Sequence, residues 1–275
     1  MKELTKAQEV ERSVMKKFKK TIWSKFILAL KTYKLVNDGD KIAVCVSGGK
    51  DSMLLAVLMK MLKKYSETDF DVCYLSMDPG YNNANRKQVE ENAKKLEIPL
   101  QIFETQIFDS VYNLEGAPCY LCARMRRGHL YNEAKKLGCN KIALGHHFSD
   151  VIETTMMGML YGAQLQGMMP KLRSQNFEGM ELIRPLYCIN EDDICAWRDA
   201  NELKFLNCAC RFTEACEIDE NASARKATKN LIKSLRKKIP EVEHHIFKSL
   251  HNVNVDTFPG YKKDGKYHDF NDLFE

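Results

Sequence analysis

The chain has 275 residues, 42 Lys and Arg against 37 Asp and Glu, and a net charge of +5. Apolar residues at 44% and charged residues at 29% exclude a disordered chain, and the length is enough to close a core without staples. No apolar run approaches the roughly 18–20 residues that span a bilayer, and residues 26–30 are too short a run for a signal-peptide core, so a cytoplasmic protein without a membrane partner is expected.

Residues 1–36 read as a helix, because Val10, Val14, Phe18, Ile22 and Phe26 recur every four residues. The turn cluster at 37–40 ends it. Residues 42–46 are apolar throughout, as a parallel strand buried on both faces should be. A Ser-Gly-Gly-Lys-Asp-Ser loop follows at 47–52, then a helix over 53–64. The pattern repeats with strands over 71–76, 100–103 and 141–144 and helices over 85–96, 124–137 and 151–160. A further strand is expected at 182–186, and beyond 191 the chain reads as helical, with a cysteine-rich interruption at 207–216. The final residues, rich in Gly and Asp, read as a loosely packed tail. Strands alternating with helices predict an α/β fold with a parallel sheet covered on both faces. The expected organisation is a helical extension over 1–38, the sheet domain over 39–200, and a helical, cysteine-containing region over 201–275.

The glycine loop is the most informative local feature. Gly48 and Gly49 permit a sharp turn that exposes backbone N–H groups, and the following helix points its positive end at the same place. Ser47 and Ser52 add hydroxyls and Lys50 adds charge. Asp51 is unusual in a plain anion site and suggests a metal ion or a helix cap. The spacing differs from that of the Gly-x-x-x-x-Gly-Lys loop of common ATPases. It resembles instead the pyrophosphate loop of the ATP pyrophosphatase superfamily.

Ten cysteines in a reducing compartment point to thiols, metal ligands or catalytic groups rather than disulfides. Cys119 and Cys122 form a C-x-x-C pair suited to zinc, an iron–sulfur cluster or a dithiol. Cys208, Cys210 and Cys216 can complete such a site. Cys45 and Cys73 read as buried thiols inside strands, and no role is assigned to Cys139, Cys188 or Cys195. Over 222–239 there are seven basic residues and no acidic one. Arg225, Lys229, Lys233 and Lys237 share a helix face, and the single sign favours phosphate binding over a merely solvated surface.

Together these features resemble the tRNA 2-thiocytidine synthetase (TtcA-type) family, which modifies a cytidine in the tRNA anticodon loop. The likeness rests on the loop at 47–52, Cys119-Tyr-Leu-Cys122 followed by Arg124, Arg126 and Arg127, Gly145-His146-His147, the stretch 167–172 and Arg184-Pro185-Leu186. It covers residues from about 20 to 255. The resemblance implies a PP-loop ATP pyrophosphatase (adenine nucleotide alpha hydrolase-like) domain with N- and C-terminal helical flanks. It implies ATP over Ser47, Gly48, Gly49, Lys50, Asp51 and Ser52, with Mg²⁺ near Asp51. Leu75, Met77, Gly145, His146 and Asp150 are expected to border the nucleotide. It further implies a [4Fe–4S] cluster on Cys119, Cys122 and Cys210 with one iron left open. Asp51 and these three cysteines are the candidate catalytic residues. Arg124, Arg126, Arg127, Lys171, Arg225, Lys229 and Lys233 are the candidate tRNA-binding residues.

The implied reaction adenylates C2 of a cytidine, at position 32, and replaces its oxygen with sulfur. The sulfur comes from an outside donor such as a cysteine desulfurase persulfide or sulfide, and a homodimer is compatible with the resemblance. Two departures stand out. The second cysteine motif is shortened to Cys208-Ala-Cys210, and Ser149-Asp150 replaces a pair of aspartates. Three alternatives remain open: a 2-thiouridine synthetase of the same superfamily, a persulfide enzyme without a cluster, and a zinc-stabilised tRNA-binding protein without catalysis.

Overall fold

The uninterrupted apolar run at 42–46 lies at the centre of a six-stranded sheet. The computed structural model describes residues 3–105, 118–206 and 220–274, except for the side chains of 118–124, 220–223 and 273. β1 (Lys41–Cys45) is flanked on one side by β2 (Asp71–Asp78) and β3 (Leu100–Glu104). On its other side lie β4 (Lys141–Ala143), then β6 (Glu181–Ile183), then β5 (Lys171–Arg173) at the edge. Every pairing is parallel except β5 with β6. The three-residue edge strand β5 is not legible in the sequence, because so short a run shows no alternation.

Helices α1 (Lys6–Met15), α2 (Ser24–Thr32), α3 (Lys50–Tyr65), α4 (Asn83–Lys95), α5 (Pro118–Lys136), α6 (Phe148–Tyr161) and α7 (Glu191–Ala200) accompany the sheet. The alternation of β1 divides the interior in two. Ile42, Val44 and Val46 join one cluster with Leu54, Leu58 and Trp197, while Ala43 and Cys45 join another with Tyr131, Ala134 and Leu182. Each such large apolar side chain contributes roughly 1.5–3 kcal/mol on burial.

The expected N-terminal helix is interrupted. Residues Lys19–Trp23 form a π-helical turn, with the Trp23 N–H donating to the Phe18 carbonyl at 3.3 Å. The wider turn keeps the apolar face in register, so Val10, Val14, Phe18, Ile22 and Phe26 are all buried. They lie in the same core as Leu54 and Trp197, so residues 1–38 pack as part of the sheet domain.

The chain divides into two compact units, Met1–Thr228 and Lys229–Glu275. The division lies within α8 (Glu220–Lys238), later than the expected boundary at 201. The second unit holds the rest of α8, α9 (Val242–Ser249) and a hairpin of β7 (Gly260–Lys263) with β8 (Lys266–Asp269). The hairpin replaces the expected loose tail. Its two-residue loop, Asp264-Gly265, has φ of 52° and 77°, the left-handed conformation that tight hairpins require. Among the described residues no helix is long and apolar enough to cross a membrane.

Candidate active site

β1 and β4 are neighbours, yet the chain leaves β1 toward β2 and reaches β4 only later. Their carboxyl ends therefore mark the point where strand order reverses, and a crevice opens there. The loop after β1 fills one side of it. Gly48 has φ of 85°, and a Cβ at that position would lie 2.6 Å from Cγ2 of Val89. Ser52 Oγ accepts from the Ser47 N–H at 3.1 Å and donates to the Gly49 carbonyl at 3.0 Å, which draws the loop closed. The Tyr81 hydroxyl and the Leu206 N–H bond the carbonyls of Ser47 and Gly48 from outside. Gly49 is the N-cap of α3 and supplies no side-chain hydrogen bond, so the first N–H groups of this helix remain available to an anion.

The turn after β4 forms the opposite wall. Gly145 sits so close to α3 that a Cβ there would lie 3.1 Å from backbone atoms of Asp51 and Ser52. His147 is the N-cap of α6, with a reciprocal box in which Asp150 Oδ2 accepts from the His147 N–H and His147 Nδ1 accepts from the Asp150 N–H. Its other ring nitrogen, Nε2, lies 3.6 Å from Asp51 Oδ1, beyond hydrogen-bond reach. Between the walls lies a cavity of about 320 Å³, bordered by Ser47, Asp51, Met77, Arg126, His146 and Asp150 among others. Its size suits a small ligand or part of a nucleotide.

Charge around the cavity is ordered. Lys50 Nζ lies 3.1 Å from Asp51 Oδ2 and 3.1 Å from Glu191 Oε1. Burial works against the Lys50 charge, but the two carboxylates outweigh it and hold its pKa above the ordinary value. Burial, aided by Arg184, pushes His146 down to about 4, so the imidazole is neutral at physiological pH. Asp51 Oδ1 is buried and accepts no hydrogen bond. A hard-oxygen donor of this kind, with Asp150 in the same cavity, suits Mg²⁺, which takes one or two carboxylates and completes its shell with phosphate oxygens and water. Among the described residues no three His, Cys, Asp or Glu side chains converge on a metal position.

Comparison with known proteins follows the same outline. A family profile described as PP-loop domain matches residues 11–211. A tRNA-cytidine(32) 2-sulfurtransferase of Aliivibrio fischeri is 35% identical over 92% of this chain and 80% of its own length. A tRNA-cytidine(32) 2-sulfurtransferase of Anaeromyxobacter dehalogenans is 36% identical over 82% of this chain and 76% of its own. The chain belongs to the tRNA 2-thiocytidine synthetase family of PP-loop proteins. Among solved structures, the U34-tRNA thiolase NcsA from Methanococcus maripaludis with its [4Fe-4S] cluster superposes with a TM-score of 0.67. That match covers 88% of this chain and 80% of that one at 21% identity, and it shows a common fold.

Within this PP-loop protein, the structure brings Ser47, Asp51, Ser52, Met77, Gly145, His146 and Asp150 together around the cavity. Leu75 is buried in the sheet beneath, where its carbonyl accepts the Val46 N–H. Cys119 and Cys122 occupy the start of α5, three residues apart, and their side chains and that of Arg124 lie outside the described residues, as do Cys208 and Cys210. Arg126 on the same helix borders the cavity. At 1.5 Å per residue the backbone at Cys122 is about 6 Å from Arg126 along the helix axis. Arg127 is exposed.

Lys171 donates to the Lys34 carbonyl at 3.0 Å and lies 3.9 Å from Glu181, so part of its charge is met within the protein. Arg225 faces Glu153 at 3.5 Å and Asp150 at 3.9 Å, so carboxylates of α6 claim part of its charge. Lys233 is exposed on α8 and Lys229 is half-buried. Sequence reasoning misses Glu191, whose only local mark is an acidic residue at a helix start. It names Arg184 only as part of the stretch that carries the resemblance and gives it no place at the site, where it lies buried beside His146. Ser149 has a structural duty here: its hydroxyl accepts the Glu191 N–H at 3.2 Å.

Proposed function

We propose that this protein is an ATP-dependent tRNA sulfurtransferase that converts a cytidine, at position 32, to 2-thiocytidine. The observation that carries the reading is 35% identity over 92% of the chain to a tRNA-cytidine(32) 2-sulfurtransferase, with the glycine loop folded against an open cavity. ATP lies with its triphosphate against the N–H groups at the start of α3. The C2 oxygen of the cytidine attacks the α-phosphorus and pyrophosphate leaves. Ser47, the backbone of Gly48 and Gly49, and Lys50 hold the departing charge, which is where fixed donors lower a barrier most. Asp51 and Asp150 would hold Mg²⁺ beside the phosphates.

Adenylation turns a poor leaving oxygen into AMP, so sulfur can displace it at C2. A [4Fe–4S] cluster held by Cys119, Cys122 and Cys210 would supply the carrier of that sulfur. Neutral His146 borders the cavity without adding to the charge of Lys50 and Arg126. Arg126, on the helix that begins with the cysteine pair, is placed to meet phosphate or the tRNA backbone. The protein acts in the cytoplasm and draws sulfur from a persulfide or sulfide donor.

The test is anaerobic reconstitution followed by thiolation of tRNAs bearing cytidine-32 or uridine-34, with nucleoside mass spectrometry. We expect 2-thiocytidine only, dependent on ATP, with release of AMP and pyrophosphate, and loss of product in Cys119→Ala. Product on uridine-34 would make it a 2-thiouridine synthetase, and tRNA binding without AMP formation would remove the enzyme reading altogether.

A further inference from the structure

Lys50 lies between two carboxylates from different parts of the chain. Asp51 is its sequence neighbour, and Glu191 comes from the start of α7, whose Trp197 shares a core with Leu54 and Leu58 of α3; each carboxylate lies at 3.1 Å. Glu191 is not left to chance: its N–H is bonded by Ser149 Oγ at 3.2 Å, which ties the start of α7 to the start of α6. The Lys50 side chain and Glu191 are each about one-fifth exposed, so the pair is only weakly screened. Asp51 divides its oxygens. Oδ2 meets Lys50, while Oδ1 is buried, accepts no hydrogen bond and has His147 Nε2 at 3.6 Å.

The three charged groups, Lys50, Asp51 and Glu191, sum to one negative charge. Without Glu191 the lysine would neutralise Asp51 outright, and a carboxylate so neutralised is a poor cation ligand. We infer that Glu191 is a positioning residue that shares Lys50 with Asp51 and thereby leaves Asp51 Oδ1 unclaimed for the divalent cation that accompanies the nucleotide. The inference rests on the reading of this loop as a nucleotide site and adds to it a residue outside every motif that identified the loop. The same arrangement gives Lys50 a second partner to return to when phosphates leave the loop.

The test measures cation binding directly. Mn²⁺ is titrated into the full-length protein without nucleotide, so that the phosphate contact of Lys50 does not enter, and free Mn²⁺ is read by electron paramagnetic resonance. Replacing Glu191 by Gln removes one charge a few ångströms from the site, which should weaken Mn²⁺ roughly tenfold. Lys50→Met should tighten it several-fold, and the double variant, whose summed charge again equals that of the wild type, should return close to the wild-type value. A merely structural Glu191 would move the melting temperature and leave this ordering absent.

Binding by E191Q within twofold of wild type overturns the inference, as does a double variant as weak as E191Q or a wild-type protein that takes up no Mn²⁺. If E191Q does not fold, Lys50→Met alone decides, because binding no tighter than wild type overturns the inference. Failure of cytidine thiolation with the Mn²⁺ ordering intact would sink the proposed activity and leave this inference standing.

Discussion

Gly145 has no room for a side chain. A Cβ there would meet the backbone of Asp51 and Ser52 at 3.1 Å, and backbone cannot swing away as a side-chain tip can. Gly145→Ala should therefore push the start of α3, lower stability by about 1–3 kcal/mol and abolish AMP formation, read by thermal melting and by AMP release. Gly128 makes the control. It lies within α5 with nothing near its added methyl, so Gly128→Ala should raise stability by about 0.5–1 kcal/mol.

The thiols of the sheet differ from one another as well: Cys45 and Cys139 are buried, while Cys73, expected to be buried, is only half so. Cys73 Sγ lies 3.3 Å from Cys139 Sγ, and the hydrogen bond from Cys139 lowers the Cys73 pKa while the bond itself raises that of Cys139. Cys45 is pushed up to about 12 by burial. Iodoacetamide at pH 8 should thus label Cys73 before Cys45 or Cys139, as peptide mass spectrometry of timed samples would record. Equal rates at Cys73 and Cys45 would contradict the pairing.

At the scale of elements, polar contacts join the amino ends of β1 and β4, while apolar ones fill the space around their middles. Lys141 Nζ donates to Asp40 Oδ2 at 2.6 Å and to the Leu35 carbonyl at 3.1 Å, with both side chains almost fully buried. Asn140 donates to the other oxygen of Asp40, and the Asn37 N–H donates to Asp40 Oδ2. Removing one member of a buried pair strands the other, so Asp40→Ala should cost about 3–5 kcal/mol in urea unfolding. The double replacement with Lys141→Met should cost clearly less than the sum.

This pair also marks what the sequence made legible and what it did not. Residues 42–46 declared their strand by apolar continuity, and the glycine loop declared its turn by spacing. Lys141 and Asp40 are far apart in sequence, and neither carries a local sign of its partner. The same holds for Glu191 and Lys50. Asp264-Gly265 did carry a sign, since Asp-Gly is a common tight-turn dipeptide, but the flanking strands are four residues each and show no apolar alternation.

Across the whole molecule, stability should fall in mild acid for an identifiable reason. The His146 pKa is held near 4 in the fold against 6.5 when exposed. Above pH 6.5 neither state is protonated there and the histidine is neutral to folding. Between 6.5 and 4 the unfolded chain binds a proton that the folded chain refuses, so stability is lost as pH falls, by up to about 3 kcal/mol. Melting temperatures from pH 7 to 4 should decline less steeply in His146→Asn than in the wild type. An unchanged slope would place the acid sensitivity on other groups.

The net charge of +5 acts through its placement, and placement separates the basic residues of α8 into two kinds. Arg225 faces Glu153 and Asp150, and Arg236 lies 3.5 Å from Glu243, so part of each charge is spent within the protein. Lys226, Lys233 and Lys237 are exposed on the same helix, which contains no acidic residue after its first position. If α8 meets tRNA, these three lysines neutralise its phosphates and the paired arginines neutralise few. Replacing Lys226, Lys233 and Lys237 with Gln should weaken tRNA binding and flatten its salt dependence, by roughly 0.7–0.9 in the slope of log K against log salt for each phosphate no longer neutralised. The same change made at Arg225 should instead disturb the cavity wall through Asp150 and alter nucleotide binding more than the salt slope. Filter binding at several ionic strengths separates the two effects. A triple variant that keeps the wild-type slope would assign the tRNA surface to another face, with the exposed Arg127 on α5 the next residue to test.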